Sequence, residues 1–358
     1  MEPMNSKERV RQTFKHREPD RVPVWCGASP EFIAKAQEYL GVSDHEAVYQ
    51  RFHDDFRRVF SEYAGPAEFA PSVVIGGATK IRTPFGIVRE GIGYGQPTHH
   101  PLADATLPEI HDYPWPDPAW IDVSKIKTKA RRYGEAYAIL GGEWSPLWHD
   151  AIDLVGMENL FVKMYEEPEA VAALLGHITD YYAAVSEKIF AAAAEAIDIF
   201  FIGNDLGSQT GPLIGDKLFR QFLFPHLQRL ADLGHRYGLY VMMHCCGSFA
   251  PLMPALIEAG IDAVQSLQPY TRGMDPATLK REFGERLVFN GCIDSQRVLI
   301  EGNPELVREK TREVLAVMMP GGGYILSPSH DYLLEETPVE NVIAMYDTAV
   351  EYGVYQKK

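Results

Sequence analysis

Hydrophobic and polar positions follow two patterns that alternate along most of the chain. Short, almost uninterrupted apolar runs are typical of strands buried on both faces, and the amphipathic segments between them are typical of helices. The predicted strands are Arg21–Cys26, Tyr137–Glu143, Ala196–Gly203, Leu239–Cys245, Ile261–Leu267, Arg286–Ile293 and Tyr324–Ser327. The predicted helices are Asn159–Ala194 with a break near Pro168, Pro212–Tyr237, Phe249–Ala259, Pro276–Phe283, Pro304–Met318 and Pro338–Tyr352.

Strands that alternate with helices predict a parallel sheet covered by helices. Seven such units, with an eighth strand unrecognised, favour an α/β fold of the closed (β/α)₈ TIM-barrel type. An open doubly wound sheet would carry a glycine-rich phosphate loop after its first strand, and the sequence has neither a GxGxxG nor a Walker motif.

The N-terminal third departs from this rhythm. Glu31–Tyr63 is predicted to be helical, and the runs Ser72–Gly77 and Lys80–Glu90 predict a β-hairpin. Asp104–Asp122 is rich in proline and tryptophan and is interpreted as a surface loop or lid. We therefore expect one barrel domain over residues 1–358, with helical and hairpin elaborations within residues 1–130.

Charge and composition narrow the function classes. The 358 residues carry 34 basic and 49 acidic side chains, a net charge of −15, which disfavours binding to nucleic acid or to an anionic membrane surface. No apolar run approaches the ~20 residues of a membrane-spanning helix. Met1–Arg17 is too charged for a secretory signal, and four cysteines, two of them adjacent, do not form a disulfide framework. A cytoplasmic protein is expected.

Reactive side chains cluster just after the predicted strands, where a barrel places its active site. The sharpest signal is His244-Cys245-Cys246-Gly247. Residues two apart on a strand point the same way, so His244 and Cys246 could hold a zinc ion, with His330 from another strand end as a third ligand. The alternative is a buried histidine packed with small apolar cysteines, and Cys245 or Cys292 could replace one ligand.

Other polar and aromatic residues have two interpretations each. Asp205 could act as a general base or bind substrate, and Asp294 could do the same, but either could simply cap a helix or line a loop. Asp331, next to His330, could orient a metal ligand. Trp25 and Trp144 could form an aromatic pocket wall or pack in the core.

Five segments carry a resemblance to a known family. They are residues 7–24 (KERVRQTFKHREPDRVPV), 203–230, 238–269, 279–296 and 321–353. Together they resemble the uroporphyrinogen decarboxylase superfamily, whose members are (β/α)₈ barrels. True decarboxylases of this superfamily bind a tetrapyrrole polycarboxylate through an arginine-rich loop. Residues 23–30 (PVWCGASP) contain no arginine here, which disfavours that activity.

The other branch of the superfamily, the cobalamin-linked methyltransferases, is closer in pattern. Its members bind zinc through a His-x-Cys pair and a late cysteine, which implies His244 and Cys246 as ligands here. His330 stands near the late cysteine position. Replacing a thiolate by an imidazole makes the bound metal a stronger Lewis acid, which argues against coenzyme M as the methyl acceptor. The resemblance further implies a corrinoid (cobalamin) carried by a separate partner protein, and pairing into a homodimer.

The leading hypothesis is zinc-dependent methyl transfer between a small methoxylated or methylated substrate, or tetrahydrofolate, and a corrinoid protein. The predicted catalytic residues are Asp205, Asn204 and Asp294, and the predicted substrate contacts are Trp25, Gln209, Gln265 and Trp144. Two alternatives stay open: a metal-independent decarboxylase or lyase acting on a small carboxylic acid, and a non-catalytic protein that binds a small molecule.

Overall fold

Seven parallel strands form the centre of the molecule, and the expected α/β barrel class is confirmed. The computed structural model describes residues 3–74, 79–91 and 95–356. The strands follow one another around the sheet in chain order. They are β1 (Phe56–Arg58), β2 (Ala138–Gly141), β3 (Ile199–Gly203), β4 (Tyr240–His244), β5 (Ala263–Leu267), β6 (Val288–Ile293) and β7 (Tyr324–Pro328).

The predicted strand Arg21–Cys26 occupies the gap between β7 and β1 but is not a regular strand. Trp25 N donates to Leu326 O at 3.0 Å, and Leu326 N donates to Pro23 O at 2.9 Å. On the other side, Asp55 N donates to Val24 O at 3.0 Å, one residue before β1. Pro23 has no N–H to donate, which limits the number of backbone hydrogen bonds that this segment can form with its neighbours. This irregular segment therefore bridges the two edge strands in the eighth position.

Two predictions for helical segments need correction. Glu31–Tyr63 was predicted to be helical, but its second half contains the barrel strand β1, and only its first half holds the helices Pro30–Leu40 and His45–Arg51. Pro212–Tyr237 is two helices, Asp216–Phe222 and Phe224–Arg236, since the N–H-less ring of Pro225 begins a new helix.

The remaining helices surround the sheet, and the predicted break near Pro168 is confirmed by two separate helices there. They are Ser6–Phe14, Leu107–His111, Ile126–Tyr133, Leu147–Val155, Met157–Glu166, Pro168–Ala193, Met253–Glu258, Pro276–Phe283, the wider-turned Ser295–Ile300, Pro304–Met318 and Val339–Tyr352. Of the helices in the described residues, none combines the length and the apolar character needed to cross a bilayer.

A small antiparallel sheet stands where the hairpin was predicted. Its strands are Ser72–Val74, Thr79–Arg82, Val88–Gly91 and Gln96–Pro97. Residues 75–77 of the predicted hairpin lie outside the described residues. The loop predicted over Asp104–Asp122 contains the short helix Leu107–His111 and a strand, Ile121–Asp122, that pairs with Glu62–Tyr63.

The core has an inner and an outer part. The outer part joins one face of the strands to the helices, and the inner part fills the barrel, as in other (β/α)₈ proteins. The inner cluster consists of Val10, Phe14, Trp25, Phe56, Ala138, Leu140, Ile199, Phe201, Met242, Ala263, Val288 and Ile325. Phe14 of the first helix stacks on Tyr240 at the start of β4, with ring centroids 4.7 Å apart. The N-terminal helix therefore closes one end of the barrel, and the carboxyl ends of the strands open at the other.

Candidate metal centre

His244 is the last residue of β4 and lies at the open end of the barrel. Its side chain is buried, and its Nε2 lies 3.3 Å from Cys246 Sγ. The chain can turn back after Cys246 because Gly247 has φ +80° and passes so close to Gly207 that a Cβ would lie 2.6 Å from the Gly207 carbonyl carbon. The sequence Cys-Gly therefore places the imidazole and the thiol side by side.

Asp205, which follows β3, completes a group of three ligand atoms. Its Oδ1 accepts a hydrogen bond from Cys246 N at 2.7 Å and lies 3.2 Å from His244 Nε2. Its Oδ2 lies 3.2 Å from His149 Nε2. The ligand atoms of Asp205, His244 and Cys246 all lie within 4.8 Å of one another. Across residues 3–74, 79–91 and 95–356, this is the one group of three or more such side chains that could hold a metal ion.

Gln265 on β5 fixes the orientation of the His244 ring. His244 Nδ1 donates to Gln265 Oε1 at 2.5 Å, which leaves Nε2 to face Asp205 and Cys246. A hydrogen bond to the far nitrogen is how proteins select the tautomer of a metal-binding histidine. Gln265 is fully buried, and its Nε2 has no partner among the described residues. The predicted substrate contact thus lies behind the histidine.

A β-bulge lets the residue after Gln265 approach the same point. The register between β5 and β6 shifts between Gln265 and Leu267, and Ser266 adopts φ +77°. Ser266 Oγ lies 3.6 Å from Cys246 Sγ and donates to Ser329 O at 3.1 Å. Bulges of this kind redirect side chains beside active sites.

Opposite charges stabilise the cluster. Burial alone would raise the pKa of Asp205, but its hydrogen bonds and charge interactions with His149 and His244 hold that pKa far below its usual range. Burial alone would lower the pKa of His244, but its interactions with Cys246, the hydrogen bond to Asp205 and the charge of Asp331 raise it well above its usual value. Without a metal, a proton on His244 therefore balances the negative groups around it.

The donor set suits zinc. One imidazole nitrogen, one thiolate sulfur and one carboxylate oxygen are the ligand types that zinc accepts. Three protein ligands leave a fourth tetrahedral position for a substrate, as in catalytic zinc sites. The buried, pre-oriented His244 ring gives the strongest reason to assign the cluster to a metal.

A cavity of about 260 Å³ opens beside the loops that follow β6 and β7. Three predicted site residues, Gln209, Asp294 and His330, are in its wall. Asp294 also caps the next helix, since its side chain accepts a hydrogen bond from Arg297 N. The position of Asp294 therefore agrees both with a role in catalysis or substrate binding and with a helix cap.

His330 is in the cavity wall, but the group of converging ligand atoms does not include it. Its Nδ1 lies 2.9 Å from Tyr332 O and 3.2 Å from Tyr332 N. Asp331 is buried, and its charge acts on His244. The structure thus brings Asp205 to the position beside His244 and Cys246 where His330 was expected.

The other predicted residues take different positions. Asn204 is buried and bonded to backbone, accepting from Trp148 N at 3.0 Å and donating to Ser145 O at 3.2 Å. Trp25 packs inside the barrel, and its indole N–H has no partner among the described residues. Trp144 lies at the mouth, its ring centroid 5.6 Å from that of His244.

The remaining cysteines are buried and separate from the cluster. Cys26, Cys245 and Cys292 are each buried, and burial raises the pKa of each thiol. Cys245 points to the outer core and accepts a weak hydrogen bond from Leu206 N at 3.3 Å.

Sequence reasoning missed two polar groups at the mouth. His149 lies on the helix Leu147–Val155, which was not predicted, and contacts Asp205. Arg58 ends β1, which was hidden in a segment predicted to be helical. A strand of three residues gives almost no periodic signal, so the position of Arg58 could not be found from the pattern alone.

Comparison with known proteins places this architecture among characterised ones. The family model described as uroporphyrinogen decarboxylase (URO-D) matches residues 116–352. The methylcobamide:CoM methyltransferase MtbA of Methanosarcina acetivorans is 22% identical over 97% of this chain and 98% of its own length. A uroporphyrinogen decarboxylase of Magnetococcus marinus is 23% identical over 53% of this chain and 51% of its own. The solved structure of a methyltransferase from Methanosarcina mazei superposes with a TM-score of 0.66 at 19% identity, covering 98% of this chain and 99% of that one.

Proposed function

Because this chain belongs to the uroporphyrinogen decarboxylase family, we propose that it is a zinc-dependent methyltransferase of the corrinoid-linked branch. The methyl group would move between a small methoxylated or methylated molecule, or tetrahydrofolate, and a corrinoid protein. The observation that carries the proposal is the convergence of His244, Cys246 and Asp205 at the barrel mouth. The similarity to MtbA over nearly the whole of both chains supports the same branch.

The residues of the chain have separate tasks in this proposal. His244 and Cys246 hold the metal in this proposal, and the third ligand is Asp205, whose carboxylate lies beside them, or the predicted His330. Gln265 keeps the His244 ring in the metal-binding tautomer. Zinc in this position would act as a Lewis acid on the substrate heteroatom. It would make that atom a better leaving group when the methyl group is removed, and it would favour the deprotonated form of that atom when the methyl group is received. His149 holds the second oxygen of Asp205 and keeps that carboxylate ionised.

The cavity beside His330 is the proposed place for the substrate. Its volume of about 260 Å³ suits a small molecule. In its wall, the Gln209 amide can donate to or accept from substrate groups, and the Asp294 carboxylate can accept from a substrate hydroxyl. The corrinoid would arrive on a partner protein at the same open end of the barrel. A cytoplasmic location, a homodimer and a single domain over residues 1–358 stay predictions.

Metal content of the protein as purified, measured by plasma mass spectrometry, tests the proposal directly. We expect about one zinc per chain, in line with a single three-ligand site. His244→Ala and Cys246→Ala should lose it, whereas Cys245→Ala, a change at the neighbouring thiol, should keep it. Comparing Asp205→Ala with His330→Ala decides which residue is the third ligand. Methyl transfer to a reduced corrinoid protein, followed by its visible spectrum, should disappear with the metal.

The metal-independent alternative predicts the opposite result. A decarboxylase built on Asp205 would be metal-free as purified and would keep its activity after chelation. If a well-folded wild-type protein contains no metal and keeps full activity with chelator present, the methyltransferase proposal is wrong.

A further inference from the structure

Arg58 is a cationic side chain at the barrel mouth that forms no ion pair with any group of the described residues. Its guanidinium carbon lies 5.1 Å from the ring centroid of Trp144, 5.2 Å from that of Phe201 and 4.8 Å from that of Phe60. Among the described residues it makes no hydrogen bond, and no carboxylate lies within the 4.0 Å of an ion pair. Its five N–H groups are therefore free of protein partners.

The preceding residue of β1, Arg57, is an arginine with a structural role, and it forms ion pairs. Arg57 donates to Glu46 Oε1 at 2.7 Å and Oε2 at 2.8 Å, and its Nη1 contacts Asp54 Oδ2 at 3.3 Å. The two arginines point to opposite sides of β1, as neighbours on a strand must. The outward one is fully paired, and the one at the mouth is not.

The Trp144 ring contacts both Arg58 and His244 of the candidate metal centre. The Trp144 ring packs against Arg58 on one side and lies 5.6 Å from the His244 ring. Asp331 acts through its charge on both Arg58 and His244. The hydroxyl group of Tyr332, which lines the cavity, also interacts with the charges of Arg58 and His244, and both charges act to lower its pKa.

The surroundings favour an anion at Arg58. Burial lowers the pKa of Arg58, while the charges of Asp331 and Glu143 raise it. An arginine stays protonated even so, and a partly buried cation without a paired anion loses hydration that no ion pair of the described residues replaces. A guanidinium held among aromatic rings keeps its N–H groups, and a planar guanidinium can bind a carboxylate through two parallel hydrogen bonds.

We propose that Arg58 binds a carboxylate of the substrate, so that the substrate is a small carboxylic acid whose heteroatom reaches the His244–Cys246 site. The assignment of the heteroatom end rests on the proposed function, whereas the carboxylate end rests on Arg58 alone. Trp144, which contacts both Arg58 and His244, would then lie beside the bound acid.

Calorimetric titration with matched pairs of probes tests this. The acids are methoxyacetate and mercaptoacetate, and their neutral counterparts are 2-methoxyethanol and 2-mercaptoethanol. We expect the acids to bind the wild-type protein and to lose about tenfold or more in affinity in Arg58→Gln, which corresponds to one charge-assisted hydrogen-bonded pair. Arg58→Lys should recover part of the loss, because it keeps the charge but not the two-pronged geometry.

The control is Arg286→Gln, which removes another ring-stacked arginine, 6.0 Å from Phe283 and remote from the mouth; acid binding should stay unchanged. Arg58→Gln should lower the free energy of unfolding less than Arg57→Gln, because it removes ring contacts but no ion pair of the described residues. Equal affinity of wild type and Arg58→Gln for the acids, or no binding of either acid at millimolar concentration, overturns the proposal. Loss of binding in Arg297→Gln instead would assign the anion to the cavity wall and overturn it too.

The outcomes separate the two proposals. If acid binding depends on Arg58 but the protein contains no metal and transfers no methyl group, the Arg58 inference holds and the methyltransferase proposal is wrong. Zinc-dependent methyl transfer that is unaffected by Arg58→Gln would do the reverse.

Discussion

At the scale of single residues, the candidate centre depends on contacts that hold each ligand in one state. His244 shows this most clearly, because its Nδ1 is bonded to Gln265 and its Nε2 faces Asp205 and Cys246. Such supporting contacts commonly contribute tenfold to hundredfold to metal affinity.

Gln265→Leu should therefore weaken zinc binding by about tenfold or more. The leucine keeps the volume but cannot accept from His244 Nδ1, so the ring is free to turn. The measurement is a competition titration against a zinc-chelating dye. Gln268→Leu, a change at the amide that accepts from Gly247 N at 3.0 Å, is the control for altered loops; similar losses in both variants would contradict a specific role for Gln265.

Zinc affinity should rise with pH. The pKa of His244 is raised in the metal-free protein, so at neutral pH a proton must leave before the metal can bind. Each unit of pH should increase the apparent affinity until His244 is neutral, and proton release on zinc addition should be visible in a weakly buffered solution with a pH indicator. An affinity that is flat between pH 6 and 8 would show that the metal does not displace this proton.

At the scale of elements, close approaches of backbone position the side chains of the mouth. Gly203 at the end of β3 lies under Trp144, and a Cβ there would be 1.9 Å from the Trp144 ring. Gly203→Ala should therefore displace the Trp144 ring, which borders both Arg58 and His244. We expect altered tryptophan fluorescence and weaker zinc binding, with Gly176→Ala, which meets no atom within 4 Å, as the control that changes neither.

A buried carboxyl links two helices and should make stability depend on pH. Tyr182 of Pro168–Ala193 donates to Asp150 Oδ2 of Leu147–Val155 at 2.5 Å, and burial raises the pKa of Asp150 from 3.8 to about 7. Between these two values the folded protein binds more protons than the unfolded chain, so its stability falls as pH rises, by at most about 1.4 kcal/mol per pH unit. The loss is complete above pH 7.

Asp150→Asn removes this titration and keeps an acceptor for Tyr182. Denaturant unfolding at pH 5 and pH 8 should show that wild type loses more stability than Asp150→Asn between the two. Asp54, whose pKa burial raises to about 8, acts in the same direction in both proteins, so only the difference between them is diagnostic. Identical slopes would mean that Asp150 is ionised throughout.

At the scale of the whole molecule, Asp55 joins the segments that close the barrel. It is fully buried and accepts from Arg9 Nη1 at 2.7 Å, Arg21 Nη1 at 2.9 Å and Val24 N at 2.8 Å. The N-terminal helix, the irregular eighth segment and β1 therefore meet at one carboxylate.

Asp55→Ala should lower the free energy of unfolding by about 3 kcal/mol, since Arg21 and the Val24 N–H lose their buried acceptor and Arg9 is left with one of its two carboxylate partners, Asp20. The matched control is Asp347→Ala, which breaks the half-exposed Arg51–Asp347 pair and should cost no more than about 1 kcal/mol. Urea unfolding of both variants makes the comparison. A small effect of Asp55→Ala would mean that water replaces the carboxylate at the closure.

The sequence by itself determined the strand and helix alternation, the barrel class and the pairing of His244 with Cys246. These rest on local periodicity and on spacing of two residues along a strand, which a sequence records directly. The tertiary structure decided that β1 lies in a segment of helical appearance, because a three-residue strand is defined by its neighbours rather than by its own pattern. It also decided that Asp205 lies beside His244 and Cys246, and that Arg58 faces the mouth without an ion-pair partner in the described part of the chain. The positions of Asp205 and Arg58 depend on which strand ends lie close together at the barrel mouth. Such proximity between residues far apart in the chain leaves no pattern in the sequence.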